Sequence, residues 1–183
     1  MLYEHFMDKD RLRALLTFAD GRGISLGLSV DGYDYYLNPE QVEAFDRIRW
    51  GESRRSFRDG WELMNMPVRT LAYIGGPEQV KVLEEHFPDF KFPMFSGKMG
   101  ADVVEQESSK AKGLLRLCGY YGIDIKDTIA FGDSMNDYEI LCEAGIGIAM
   151  GNSIDELKAV ADYVTDDIDK DGIWKACRHF RLI

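Results

Sequence analysis

Residues 129–145, IAFGDSMNDYEILCEAG, hold two carboxylates, a serine and an amide within five positions. Asp133 and Asp137 stand four apart, between an apolar run that reads as a strand and a pattern that reads as a helix. In a parallel α/β sheet, ligands collect at the carboxyl ends of the strands, and Gly132 lets a backbone come close there. Two carboxylates converging across a helix start repel unless a cation or a proton sits between them. Magnesium suits such a pair, because it takes one or two protein carboxylates, keeps several waters and uses a phosphate oxygen as a further ligand. The first N–H groups of the helix favour the same phosphate, and Asn136 can position either partner by hydrogen bond. The residues also fit a plainer purpose: Asp133 and Ser134 cap a helix, and Asp137 is a solvated acid in its first turn. Spacing alone leaves both readings open.

The elements around this stretch alternate. Residues 110–123 carry Leu114, Leu115, Leu117, Cys118 and Tyr121 at helical spacing. The apolar strand DTIAFGD follows, then a helix from about Met135 to Ala144, a strand IGIAMG, and a helix opened by the capping box Ser153-x-x-Glu156. A short strand DYVT and the closing helix GIWKACRHF complete the series. Strand and helix in strict alternation with short connections imply a parallel sheet.

Upstream the rhythm differs. DKDRLRALLTFADGRG puts Leu12, Leu15, Leu16 and Ala19 on one helical face, with Asp8 as its N-cap and glycines at its end. Two strands meet at Asp31-Gly32, a pair that accepts positive φ. A helix opens at Pro39 with Asn38 as N-cap, VRTLAYI is a strand, and a helix begins near Pro77. FKFPMF and ADVVEQ are short strands separated by a turn around residues 97–100. This part should form one sheet covered on one face.

Composition narrows the function. The 183 residues carry a formal net charge of -10 with scattered basic residues, which argues against nucleic acid and anionic membrane as partners. Three cysteines far apart fit free thiols, three isolated histidines offer no zinc site, and no apolar run approaches a membrane span. The N-terminus lacks the pattern of a signal peptide, so the expectation is a cytoplasmic protein.

Taken in order, KAKGLLRLCGYYGI, IAFGDSMNDYEIL, AGIGIAMGNS, ELKAVADYVT and DKDGI resemble the C-terminal part of the Cof-type phosphatases of the haloacid dehalogenase superfamily, across residues 110–173. Residues 1–107 are similar in length and element order to the α+β cap domain that this group inserts into its core. The resemblance implies an α/β fold: a cap at 1–107 and, at 108–183, the C-terminal half of a Rossmann-like parallel sheet. It implies a magnesium-dependent phosphatase of small phosphorylated metabolites such as sugar phosphates or nucleotides. Asp133 would be a metal ligand, with Asp137 assisting directly or through water, and Asn136 would contact the substrate phosphate. Lys110 would neutralise the phosphoryl group and the nucleophile; its neighbour Lys112 fits less well by its distance to Tyr121-Gly122-Ile123. Without the resemblance, Lys110 is a solvated lysine at a helix start. A P-type ATPase phosphorylation domain shares the GD..ND signature, but no membrane span exists and the flanking segments match the soluble family better.

The resemblance also implies what these residues lack. In the superfamily one aspartate attacks phosphorus and a second, two positions on, serves as acid and base, in the form DxDGT. Asp8 and Asp10 lead straight into a helix, and Asp169 and Asp171 lie in a polar loop that fits a C-terminal turn of the family. The nucleophile and the first core strands are therefore expected to be missing, leaving a truncated chain that is inactive alone. The alternative is a non-catalytic remnant that binds magnesium, phosphate or a protein partner. An open edge on the strand TIAF would also invite a homo-oligomer through that edge or the exposed sheet face.

Overall fold

The computed structural model describes residues 4–95 and 97–183 and divides into two compact units, Met1–Gln106 and Glu107–Ile183. Among the described residues no helix is long and apolar enough to cross a membrane.

The first unit opens with helix α1 (Lys9–Asp20), where Asp8 accepts hydrogen bonds from the amides of Asp10 and Arg11, both at 3.0 Å. Leu12, Leu15, Leu16 and Ala19 are all fully buried, the face the spacing predicts. Strands β1 (Ser25–Val30) and β2 (Tyr33–Leu37) pair antiparallel across a turn with Asp31 at φ 52° and Gly32 at φ 80°. Both central residues are left-handed, as a tight hairpin needs. Helix α2 (Glu40–Trp50) then leads to β3 (Phe57–Asp59), which lies parallel to β2. A 3-10 helix at Gly60–Asn65, strand β4 (Leu71–Ile74), helix α3 (Pro77–His86), β5 (Phe90–Lys91) and β6 (Gly100–Glu105) complete one sheet in the order β3-β2-β1-β4-β6-β5.

Three expectations need correction here, and one strand was missed. Asn38 is not the N-cap of α2: Pro39 holds that position, and Asn38, at φ 48°, donates its Nδ2–H to Ile24 O at 2.9 Å. Strand β3 was not legible, being three residues long and mostly polar. FKFPMF pairs only at Phe90–Lys91 and at an isolated bridge between Met94 and Ala101, because Pro93 brings no N–H to a ladder. Finally, the sheet is covered on both faces. Leu26, Leu37, Tyr73 and Val103 pack with α1 and α3, while Tyr36 and Ile74, one residue out of phase, pack against Val42 and Phe45 of α2. The β2-α2-β3 crossover explains this, since a helix joining two parallel strands must lie on one face.

One buried charge ties α2 to that sheet. Asp46, 2% exposed, accepts from Arg55 Nε at 2.7 Å, Arg55 Nη2 at 3.1 Å and Ser53 Oγ at 2.8 Å. Arg55 Nη1 reaches Asp34 on β2 at 3.1 Å. The guanidinium hydrogen bonds, against the cost of burial, hold the Asp46 carboxyl below the usual aspartate range.

The second unit starts with helix α4 (Lys110–Tyr121), capped by Ser109, whose Oγ accepts from Lys112 N at 3.2 Å. Strands β7 (Ile129–Gly132), β8 (Ile146–Ala149) and β9 (Tyr163–Val164) run parallel in the order β7-β8-β9. Between them lie α5 (Tyr138–Glu143), entered through a 3-10 turn at Met135–Asp137 rather than as one continuous helix, and α6 (Asp155–Lys158); α7 (Gly172–His179) closes the chain. The apolar positions of α4 do lie on a helix, but few of them are covered. Only Ala111 and Cys118 are buried, while Leu115, Leu117 and Tyr121 are 44%, 46% and 65% exposed.

Asp46→Asn should lower the stability of the first unit by about 3 kcal/mol at neutral pH, because it removes one partner of a buried pair. A carboxyl held low in the folded state contributes fully above its ordinary pKa of about 3.9, and that contribution fades as pH falls through the folded-state value. Urea unfolding of wild type and variant at pH 7 and pH 3 should therefore show a gap that narrows in acid; a gap of equal size at both would contradict it.

Candidate active site

Strand β7 ends at Gly132 and delivers Asp133 to the carboxyl edge of the three-stranded sheet, beside Met150, whose N–H donates to Gly132 O at 2.9 Å. The chain then turns sharply, and Asp137 folds back under it. Asp137 is 6% exposed. Its Oδ2 accepts the backbone N–H of Asp133 at 3.0 Å and, at the long limit of 3.4 Å, that of Ser134. Its Oδ1 forms an ion pair with Nζ of Lys110, the first residue of α4. Two segments 27 residues apart meet at one carboxylate.

Gly132 is what makes the return possible. A Cβ at that position would lie 2.5 Å from Asp137 Cβ and 2.6 Å from Leu141 Cδ1. The close approach read from the sequence is thus made by the protein's own aspartate.

The sequence-derived residues separate in role. Lys110 and Asp137 are in direct contact. Asn136, half-buried, accepts at Oδ1 from Ser134 Oγ at 2.8 Å, which fixes its amide beside the turn. Asp133 is exposed, and among the described residues its carboxylate makes no hydrogen bond or ion pair. Lys112 is exposed and its amide serves the Ser109 cap. Asp8 is the α1 cap already described; Asp171 adopts a left-handed conformation at the entry to α7, and Lys170 pairs with Asp167. In the GNS turn, Asn152 Oδ1 accepts from Ile168 N at 3.0 Å, tying the loop after β8 to the loop after β9.

Two features were missed. The ion pair between Lys110 and Asp137 has no local signature, since it depends on how α4 packs beside β7. The Ser-x-x-acid pattern was assigned at Ser153–Glu156, but α6 starts at Asp155 after Ile154 with no side-chain cap, and Ser153 Oγ is buried without a partner. Ser153 N–H instead donates to Met150 O in a turn, which shifts the helix start past it. The pattern that works in reverse is Ser134–Asp137, where the acid accepts from the serine amide.

As a metal site, the arrangement is sparse. Among the described residues no three His, Cys, Asp or Glu side chains gather in a way that could hold an ion. Asp133 offers one uncommitted carboxylate, while both oxygens of Asp137 are engaged. That fits magnesium, which is commonly held through one or two carboxylates with water and phosphate oxygens filling the remaining positions.

The family model for haloacid dehalogenase-like hydrolases matches residues 1–177. The Bacillus subtilis (strain 168) protein YkrA is 39% identical over 188 residues, covering 100% of this chain and 70% of its own length. YitU from the same organism, a 5-amino-6-(5-phospho-D-ribitylamino)uracil phosphatase, is 27% identical over 184 residues, covering 97% of this chain and 68% of its own. Among solved structures, the subclass IIB sugar phosphatase BT4131 superposes with a TM-score of 0.84 at 28% identity, over 100% of this chain and 70% of that one. BT1666 from Bacteroides thetaiotaomicron, a phosphatase of the same superfamily, gives 0.86 at 26% identity, over 98% and 67%. Fold and sequence agree: the chain belongs to the haloacid dehalogenase-like hydrolases, in their Cof-type group.

Proposed function

We propose that this chain carries part of the active site of a magnesium-dependent phosphatase acting on small phosphorylated metabolites. The observation that carries the reading is the Lys110–Asp137 pair held beneath Asp133 at the carboxyl end of β7. Lys110 supplies a positive charge for the phosphoryl oxygens, and Asn136 an amide for the same group. Asp133 anchors the metal, and Asp137 orients Lys110 and reaches the metal through water. Magnesium, when bound, would neutralise the phosphoryl charge as the bond to the leaving oxygen breaks. Residues 1–107 act as the cap that selects the substrate. A sugar or sugar-alcohol phosphate is favoured by the named activities of BT4131 and YitU. The same reading places the protein in the cytoplasm, with neither nucleic acid nor membrane as partner.

The reaction also needs an attacking carboxylate, and no DxDGT run occurs in these 183 residues. In this proposal that aspartate comes from residues outside them. The same fact favours a second reading, in which the chain binds magnesium and phosphate without turning over.

Four outcomes follow. With magnesium and p-nitrophenyl phosphate, the 183 residues alone should fall on the order of 10⁶-fold below a chain that includes a DxDGT strand, the loss expected for removing a covalent nucleophile. Turnover within a hundredfold of that longer chain would refute the assignment, whereas a longer chain that binds both ligands without hydrolysis supports the second reading. In the longer chain, Lys110→Ala should cost about 10²–10³ in kcat, the usual effect of deleting one charge-stabilising donor. Asp133→Asn should abolish magnesium binding measured by calorimetry, and Gly132→Ala, by displacing Asp137, should lower kcat without abolishing that binding.

A further inference from the structure

The first unit holds a cavity that the candidate active site does not use. Its walls are Asp34 of β2, Asp46 and Trp50 of α2, and Glu52, Arg54 and Arg55 of the segment leading into β3; its volume is about 480 Å³. That size falls within the range of small-molecule sites. Every wall belongs to one compact unit, so the cavity does not depend on how the two units meet. We propose that it binds a small organic ammonium compound, whose N–H groups donate to the wall carboxylates while its charge lies against Trp50.

The charge of the walls decides what fits. Arg55 is spent on the protein itself: its Nε and Nη2 donate to Asp46, and its Nη1 to Asp34 and to Ser29 Oγ, which leaves an incoming anion little to bind. Arg54 is engaged at the rim, where its Nε donates to Glu52 Oε1 at 2.7 Å. The carboxylates are not exhausted in the same way. Among the described residues Asp46 Oδ1 accepts from Arg55 Nη2 alone, and Asp34 Oδ2 from the Ser56 N–H alone, whereas each oxygen has a second lone pair. Three acids against two arginines leave the walls net negative, and the deeper pair, Asp34 and Asp46, is largely shielded from solvent. Trp50 supplies the complementary surface, since an indole face attracts a cation. Arg49 Cζ already stands 5.5 Å from that ring, and an edge contact with Phe45, centroids 5.9 Å apart, holds the ring in place. The proposal does not rest on the phosphatase reading, because none of the six wall residues belongs to the candidate active site.

Titration with butylammonium chloride tests it, followed by the NMR shifts of the Trp50 indole N–H and of the amides of residues 50–55, at constant ionic strength. The 183 residues, and a longer chain that includes a DxDGT strand, should both show saturable shifts. Sorbitol and inorganic phosphate at the same concentration should not. Trp50→Leu should weaken binding about tenfold, read from the amides. Glu52→Gln should weaken it, whereas Arg54→Gln, which removes a rim cation and releases Glu52, should tighten it about threefold. Both of those side chains are more than half exposed, so neither variant should unfold the chain, which circular dichroism checks. Shifts that do not saturate overturn the proposal, as does an equal response to sorbitol, a preference for phosphate, or weaker binding in Arg54→Gln. So does a longer chain that fails to respond because its own residues fill the cavity.

Discussion

The Asp137 carboxylate is the joint on which the candidate site depends. It is buried, and a buried charge is tolerated only where hydrogen bonds and an opposite charge replace water. Here the replacements come from two directions: the amides of the turn after β7, and the ammonium group at the start of α4. The amides hold the turn that carries Asp133, and the ammonium fixes where α4 begins. Gly132 is the steric condition for both, because any side chain there would occupy the space of the Asp137 Cβ.

The two contributions are not equal. Lys110 is half-exposed, so its attraction to Asp137 is screened by solvent and stabilises the fold by no more than about 1 kcal/mol. The turn amides are the firmer attachment, being backbone donors to a buried anion. In the proposed reading, Asp137 keeps its place while Lys110 swings between it and an incoming anion. A lysine buried with its partner could not do this without leaving an unpaired charge behind. In the proposed phosphatase reading, the exposure of Lys110 is what would leave it able to meet a phosphoryl group.

Much of this was legible in the sequence, and the misses share a cause. Periodicity named the buried face of α1 to the residue, and Asp31-Gly32 gave the hairpin because both positions demand left-handed backbone. Periodicity also grouped Leu117 with Tyr121, but spacing tells which residues share a face and not whether anything covers it. Asn38 is not the cap because its backbone is left-handed, at φ 48°, and its side chain is turned to donate to Ile24 O. The Ser-x-x-acid pattern occurs at 134–137 and at 153–156, and the acid accepts the serine N–H only at 134–137, since the Ser153 N–H is already donated to Met150 O. At the site, residue types pointed to Asp133, Asp137, Asn136 and Lys110, but not to the contact that joins two of them across 27 residues.

The two units also differ in how much core they own. Among the described residues, eighteen buried apolar side chains form one cluster in the first unit, whereas Leu141, Ala149 and Leu157 make up the buried cluster of the second. A unit of that size is marginal when it must bury its apolar surface alone. The elements that hold Asp137 belong to this smaller-cored unit: Leu141 packs against Gly132, and α4, on which Leu117, Tyr120 and Tyr121 are exposed, supplies Lys110. The order of the candidate site therefore rests on the turn after β7 more than on the size of the core around it.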